Sequence, residues 1–139
     1  VRAVTGRLAA RRRLAAVRER ALAAVRDADA AGFRLHTERL TLLGALAVEP
    51  LGPMSGARRL DLEVRQGVLV LEVMACRHAA NRARAVLSIV RSPGFRHWYV
   101  RNADRSHGDA EAVSSYCSAY PGDPRVLDLS VRTELVPAR

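Results

Sequence analysis

The side chains best suited to covalent or metal chemistry stand together at Cys76-Arg77-His78. A thiol and an imidazole can act as nucleophile and base only when they meet and a third group orients the base. Neighbours at a strand end or helix start do not face each other, and no orienting group accompanies this pair. Cys117 lies far away in sequence, without CxxC or His-rich companions, so no metal site is expected. Two free thiols are the plain expectation, and a single disulfide is conceivable in an oxidising compartment. His97 and His107 have no HxxxH spacing, and neither a GxGxxG nor a P-loop occurs. The expectation is a non-enzymatic protein with no catalytic residue, metal or cofactor.

What remains is charge. Lys and Arg number 23 against 14 Asp and Glu, for a net charge of +9, and every one of these bases is Arg. Such uniform usage reads as nucleotide-composition bias in a GC-rich genome. The positive field still attracts anionic partners, leaving nucleic acid, anionic lipid and acidic protein open. The possible anion contacts are Arg11, Arg12, Arg13, Arg18 and Arg20. Arg96 and Arg101 flank Trp98 and Tyr99, a mixture found on nucleic-acid stacking surfaces and on ordinary half-buried strands alike.

The elements that position these groups are read from periodicity. Residues 1–31 form a helix: Leu14, Val17, Ala21, Ala24 and Ala28 recur at three- and four-residue steps as one apolar stripe. About two heptads match, short of a full coiled coil. Gly32 is the expected stop, and a second short helix is expected over 37–48. Pro50, Gly52, Pro53, Ser55 and Gly56 read as a loop. It divides the chain into an Arg/Ala-rich helical arm (1–50) and a compact domain (57–136). No apolar run is long enough to span a bilayer, and no signal-peptide core is visible. The location expected is cytoplasmic, or periplasmic if an anchor lies upstream.

The domain is organised around residues 58–75. Leu60, Leu62 and Val64 alternate with Asp61, Glu63 and Arg65, the period-two pattern of a half-buried strand. Gln66-Gly67 reads as a hairpin turn, and 68–73 as a central strand. A helix over 78–91 covers it and ends at Ser92-Pro93-Gly94. A strand follows over 95–100, then a helix from Asp109 to about Tyr120, a Pro121-Gly122-Asp123-Pro124 turn and a last strand over 125–136. The expected fold is α+β: a helical arm followed by a ferredoxin-like sandwich, with two helices on one face of a mostly antiparallel sheet.

This order of elements, with its alternating segment around Gly67 and the Ser92-Pro93-Gly94-Phe95 helix end, resembles the PilN-like proteins of type IV pilus assembly and the related GspL and GspM proteins of type II secretion. The likeness covers roughly residues 37–101 and 125–136 and is one of residue pattern, not identity. It implies a coiled-coil arm on a small ferredoxin-like domain, oligomerisation, and assembly with protein partners in a secretion or pilus platform. It supplies no catalytic residues. The same topology also resembles ACT-like regulatory domains, which implies a small-molecule-binding module as an alternative. A basic RNA- or DNA-binding component of a nucleoprotein or phage-type assembly is the other. The expected partner interface combines the arm stripe (Leu14, Val17, Ala21, Ala24, Ala28) with the open strand face of Asp61, Glu63 and Arg65.

Overall fold

The computed structural model describes residues 2–48, 55–103 and 107–134, with the backbone alone at 2–5 and 133–134. Five helices account for almost all of them: α1 (Arg2–Val48), α2 (Ser55–Arg91), α3 (Pro93–Asn102), α4 (Asp109–Ala119) and α5 (Pro124–Glu134). There is no strand among the described residues. The α+β, ferredoxin-like expectation is therefore corrected to an all-helical fold. The alternation on which the pilus and secretion resemblance depends has no sheet as its counterpart.

Helices α1 and α2 run antiparallel and pack along their length. Arg59 Nη1 donates to the Leu46 carbonyl (3.1 Å) near one end. Gly32 passes close to Cys76: a methyl group on Gly32 would stand 3.6 Å from the Cys76 Cβ. Arg84 reaches both Asp29 oxygens at 2.6 Å, and Arg18 Nε donates to the Val90 carbonyl (2.8 Å) near the other end. At 1.5 Å per residue, α1 spans about 70 Å and α2 about 55 Å. We call the end holding Leu46 and Arg59 distal, and the end holding Arg18 and Val90 proximal. The loop expected at Pro50, Gly52 and Pro53 lies outside the described residues; Ser55 and Gly56, assigned to it, begin α2. Gly32 does not stop α1, because a helix interior accepts glycine at a cost of about 1 kcal/mol.

The expected strand hairpin lies entirely inside α2, for a definite reason. Leu62 is buried against α1, and Gln66, Leu69, Val73 and Cys76 follow it as half-buried residues at helical steps. Leu60, Val64, Val68 and Leu71 lie on the opposite side and are exposed. Two apolar stripes on opposite faces of one helix, sampled every second residue, imitate a strand. Gly67 has no positive φ, so it is no turn.

The expected strands at 95–100 and 125–136 are also helices. Ser92 ends α2 and starts α3: its hydroxyl donates to the Ile89 carbonyl (2.7 Å) and accepts from the Phe95 N–H (3.1 Å). Pro93 follows at the first helical position, where its missing N–H is harmless. The aromatic residues there have high strand propensity, but Phe95 and Tyr99 are four apart and share the buried face. Packing overrides propensity. At the start of α5, Asp123 Oδ1 accepts from the Arg125 N–H (2.8 Å), and its carbonyl accepts from Leu127 N–H (3.0 Å). The helices expected over 78–91 and from Asp109 appear as the last part of α2 and as α4.

The core sits at the proximal end. Leu14, Val17 and Val25 of α1 meet Leu87, Ile89 and Val90 of α2, Phe95 and Tyr99 of α3, Ala112, Val113 and Tyr116 of α4, and Val126 of α5. A substitution separates the helical reading of 58–75 from the strand reading. Gly67 has open space around its Cα, so Gly67→Ala should stabilise the protein by about 0.5–1 kcal/mol in denaturant unfolding. A turn glycine with positive φ would instead make the variant less stable.

Candidate functional site

Three features could carry function: the proximal aromatic cap, a cluster of arginines beside it, and the outer surface of the hairpin.

The cap is built from Phe95, Trp98, Tyr99, Tyr116 and Tyr120. Phe95 packs edge-on against Tyr116 with ring centroids 5.3 Å apart, and Trp98 meets the same ring at 5.9 Å. Tyr116 is 2% exposed, and its hydroxyl donates to Asp123 Oδ2 (2.8 Å). A Cβ on Gly94 would stand 2.8 Å from that hydroxyl oxygen, so the α2–α3 junction needs glycine there. Burial first, then the hydrogen bond to the Asp123 carboxylate, pushes the Tyr116 phenol up to about 12. The same bond, with the Arg125 amide, holds Asp123 below the usual carboxylate range. Tyr99 is buried and Trp98 half-buried against the core, so both are packing groups and offer no open stacking strand, while Tyr120 is exposed.

The arginines divide by role. Arg18 satisfies the Val90 carbonyl, one of the last in α2, which has no intrahelical partner. Burial lowers the Arg18 pKa, and Arg96 and Arg91 lower it further by like-charge repulsion. Arg18, Arg91 and Arg96 therefore form a positive cluster on α1, α2 and α3. Arg20 is ion-paired with Asp109 across the α1–α4 contact, and its hydrogen bond holds that carboxyl below its ordinary range. Arg11 and Arg12 are exposed and Arg13 half-buried. Of the five expected anion contacts, the structure thus gives Arg18 a capping role and Arg20 a bridging one.

The expected partner stripe on α1 turns largely inward. Leu14 and Val17 belong to the core, Ala21 and Ala28 are half-buried, and Ala24 is exposed. Asp61, Glu63 and Arg65 are exposed, but on a helix, where Arg65 pairs with Asp61 (3.1 Å) and Arg59 with Glu63 (3.5 Å). Sequence reasoning missed the residues between them. Leu60, Val64, Val68 and Leu71 are 62, 59, 50 and 68% exposed, and Met74 also lies open. Their four- and three-residue steps were present in the sequence but were absorbed into the strand reading.

Leu71 and Met74 also line a groove of about 1130 Å³ between α1, α2, α4 and α5, with Ala21, Ala79, Val113 and Leu129 among its other walls. His78 borders it, whereas Cys76 faces α1 at Gly32. Two residues apart on a helix, the two side chains diverge. Both cysteines are free, and burial raises the pKa of the Cys117 thiol, so it is a poor nucleophile. No cluster of three or more potential metal ligands occurs among the described residues, and none of their helices is long and apolar enough to cross a membrane.

Comparisons with protein-family models, curated proteins and solved structures found no match to this chain.

The cap makes stability depend on pH in the alkaline range. Tyr116 holds its proton up to about 12 when folded, against about 10 when unfolded. Its contribution is complete below pH 10 and is lost as pH rises through 12. Denaturant unfolding from pH 9 to 12 should show this decline, and Tyr116→Phe should flatten it. An equal decline in the Phe variant would show that the Tyr116 phenol does not govern it.

Proposed function

We propose that this chain is a non-enzymatic assembly protein, a helical hairpin that associates with protein partners within a larger complex. The reading is carried by the apolar strip of α2, where Leu60, Val64, Val68 and Leu71 lie open to solvent. Scattered exposed hydrophobic residues are ordinary, but a contiguous row on one helix marks an interaction surface. The pilus or secretion platform is one setting for such a protein.

Mild purification of the native complex tests this. The chain should be recovered at a mass above its own, with stoichiometric protein. Recovery as a lone monomer would remove the reading.

A second reading is favoured by the mutual repulsion of Arg18, Arg91 and Arg96, which a bound polyanion would relieve. It makes the proximal end a phosphate-backbone contact in a nucleoprotein assembly. Binding to duplex DNA should then weaken steeply with salt, and Arg96→Gln should reduce the log–log slope by about 1. Salt-independent retention would speak against it.

A further inference from the structure

The outer face of α2 has a periodicity of its own. Val64, Val68, Leu71 and Ala75 advance by four, three and four residues, and His78 and Arg82 continue the steps. This is the a/d spacing of a heptad. The inward residues Leu62, Leu69, Cys76 and Ala80 occupy the other side, so α2 is apolar on both faces. Helix α2 packs on α1 and, toward its proximal end, on α5, yet Val64, Val68 and Leu71 stay exposed. The second seam is open, with a groove of about 510 Å³ between Thr41 and Leu42 of α1 and Val64 and Val68 of α2 alongside it.

Charge points to the occupant. Between Val64 and Ala75 the only charges are Arg65 and Glu72, an even balance in a chain of net charge +9. A strongly acidic or basic partner gains no field here, while two copies of a balanced segment do not repel.

We infer that a second copy of this chain docks on the outer face of α2, with the two α2 helices antiparallel. This inference rests on the assembly reading and names its partner. In the register that sets Val68 against Leu71 of the second copy, Val64 meets Ala75. The flanking positions then bring Arg65 opposite Glu72, and the two-fold axis repeats the pair. Leu60 and Met74 widen the buried strip. The seam fades at His78 and Arg82, so the contact is confined to the distal half and leaves the proximal cap free.

Sedimentation equilibrium of the purified chain tests the pairing. Wild type should be dimeric at about 100 μM, a concentration that populates even a micromolar complex. Val68→Glu with Leu71→Glu should raise the dissociation constant at least ~100-fold, because the interface would bury unpaired charges. Circular dichroism should show unchanged helicity, since Val68 and Leu71 are largely exposed. Arg65→Glu and Glu72→Arg should each weaken the dimer by about threefold to tenfold through like-charge contact, and the double exchange should restore it. A monomeric wild type, a dimer that survives the two glutamates, or a double exchange without rescue would overturn the pairing. A monomer in the centrifuge that purifies from cells with a different stoichiometric protein would overturn it while leaving the assembly reading intact.

Discussion

The antiparallel contact of α1 with α2 is the constraint on which the molecule depends. Most helical stability in proteins comes from tertiary packing of an apolar stripe, not from propensity. Here the stripe is thin in the middle. Gly32 meets Cys76, and Ala28 and Ala80 lie near the same level. Small residues allow the backbones to approach but bury little area, so each contributes modestly at ~25 cal/mol per Å². The exposed Arg84–Asp29 pair adds less than about 1 kcal/mol. The hairpin is held firmly where Leu14, Val17, Leu87, Ile89 and Val90 interlock and more lightly toward Leu46 and Leu62.

The three short helices follow from that unequal grip. They gather at the proximal end, where α2 stops at Ser92 and its final carbonyls need partners. Arg18 supplies one from α1, and Ser92 supplies another from within the turn. Tyr116 then ties α4 to the start of α5 through Asp123 while its ring closes over Phe95. Polar satisfaction and aromatic packing are concentrated in one place. The distal half of α2 keeps an apolar face that stays exposed among the described residues. The charge is divided in the same way: arginines crowd the first turns of α1, and the segment from Val64 to Ala75 is balanced by Arg65 and Glu72.

Parts of this were legible in the sequence. The N-terminal helix, the helix leading into Ser92-Pro93 and the helix opening at Asp109 each carry one dominant apolar face or a terminal signal that belongs to helices. The failures share a cause. Leu60, Leu62 and Val64 belong to two stripes on opposite sides of one helix, and two such stripes mimic a strand. The aromatic residues near Trp98 and the branched residues after Pro124 favour strands intrinsically, and only the packed core decides otherwise. Ser92-Pro93 was read as a stop, yet the same pair is an N-cap followed by Pro at the first helical position. The arm stripe was seen correctly as apolar, but Leu14 and Val17 turn toward the chain's own core. The residues left open sat inside the segment read as a sheet.

The aromatic cap has an optical consequence. Trp98 is the only tryptophan, and with Tyr99, Tyr116 and Tyr120 it lies in the proximal cluster; the distal half holds Phe33 as its sole aromatic residue among those described. Intrinsic fluorescence and near-ultraviolet dichroism therefore report on one end of a long molecule. Fraying of the hairpin tip would pass unseen in those signals while the far-ultraviolet helical signal fell. A mismatch between the two spectra would mark an unzipping that starts far from Trp98, not a loosening of the whole chain.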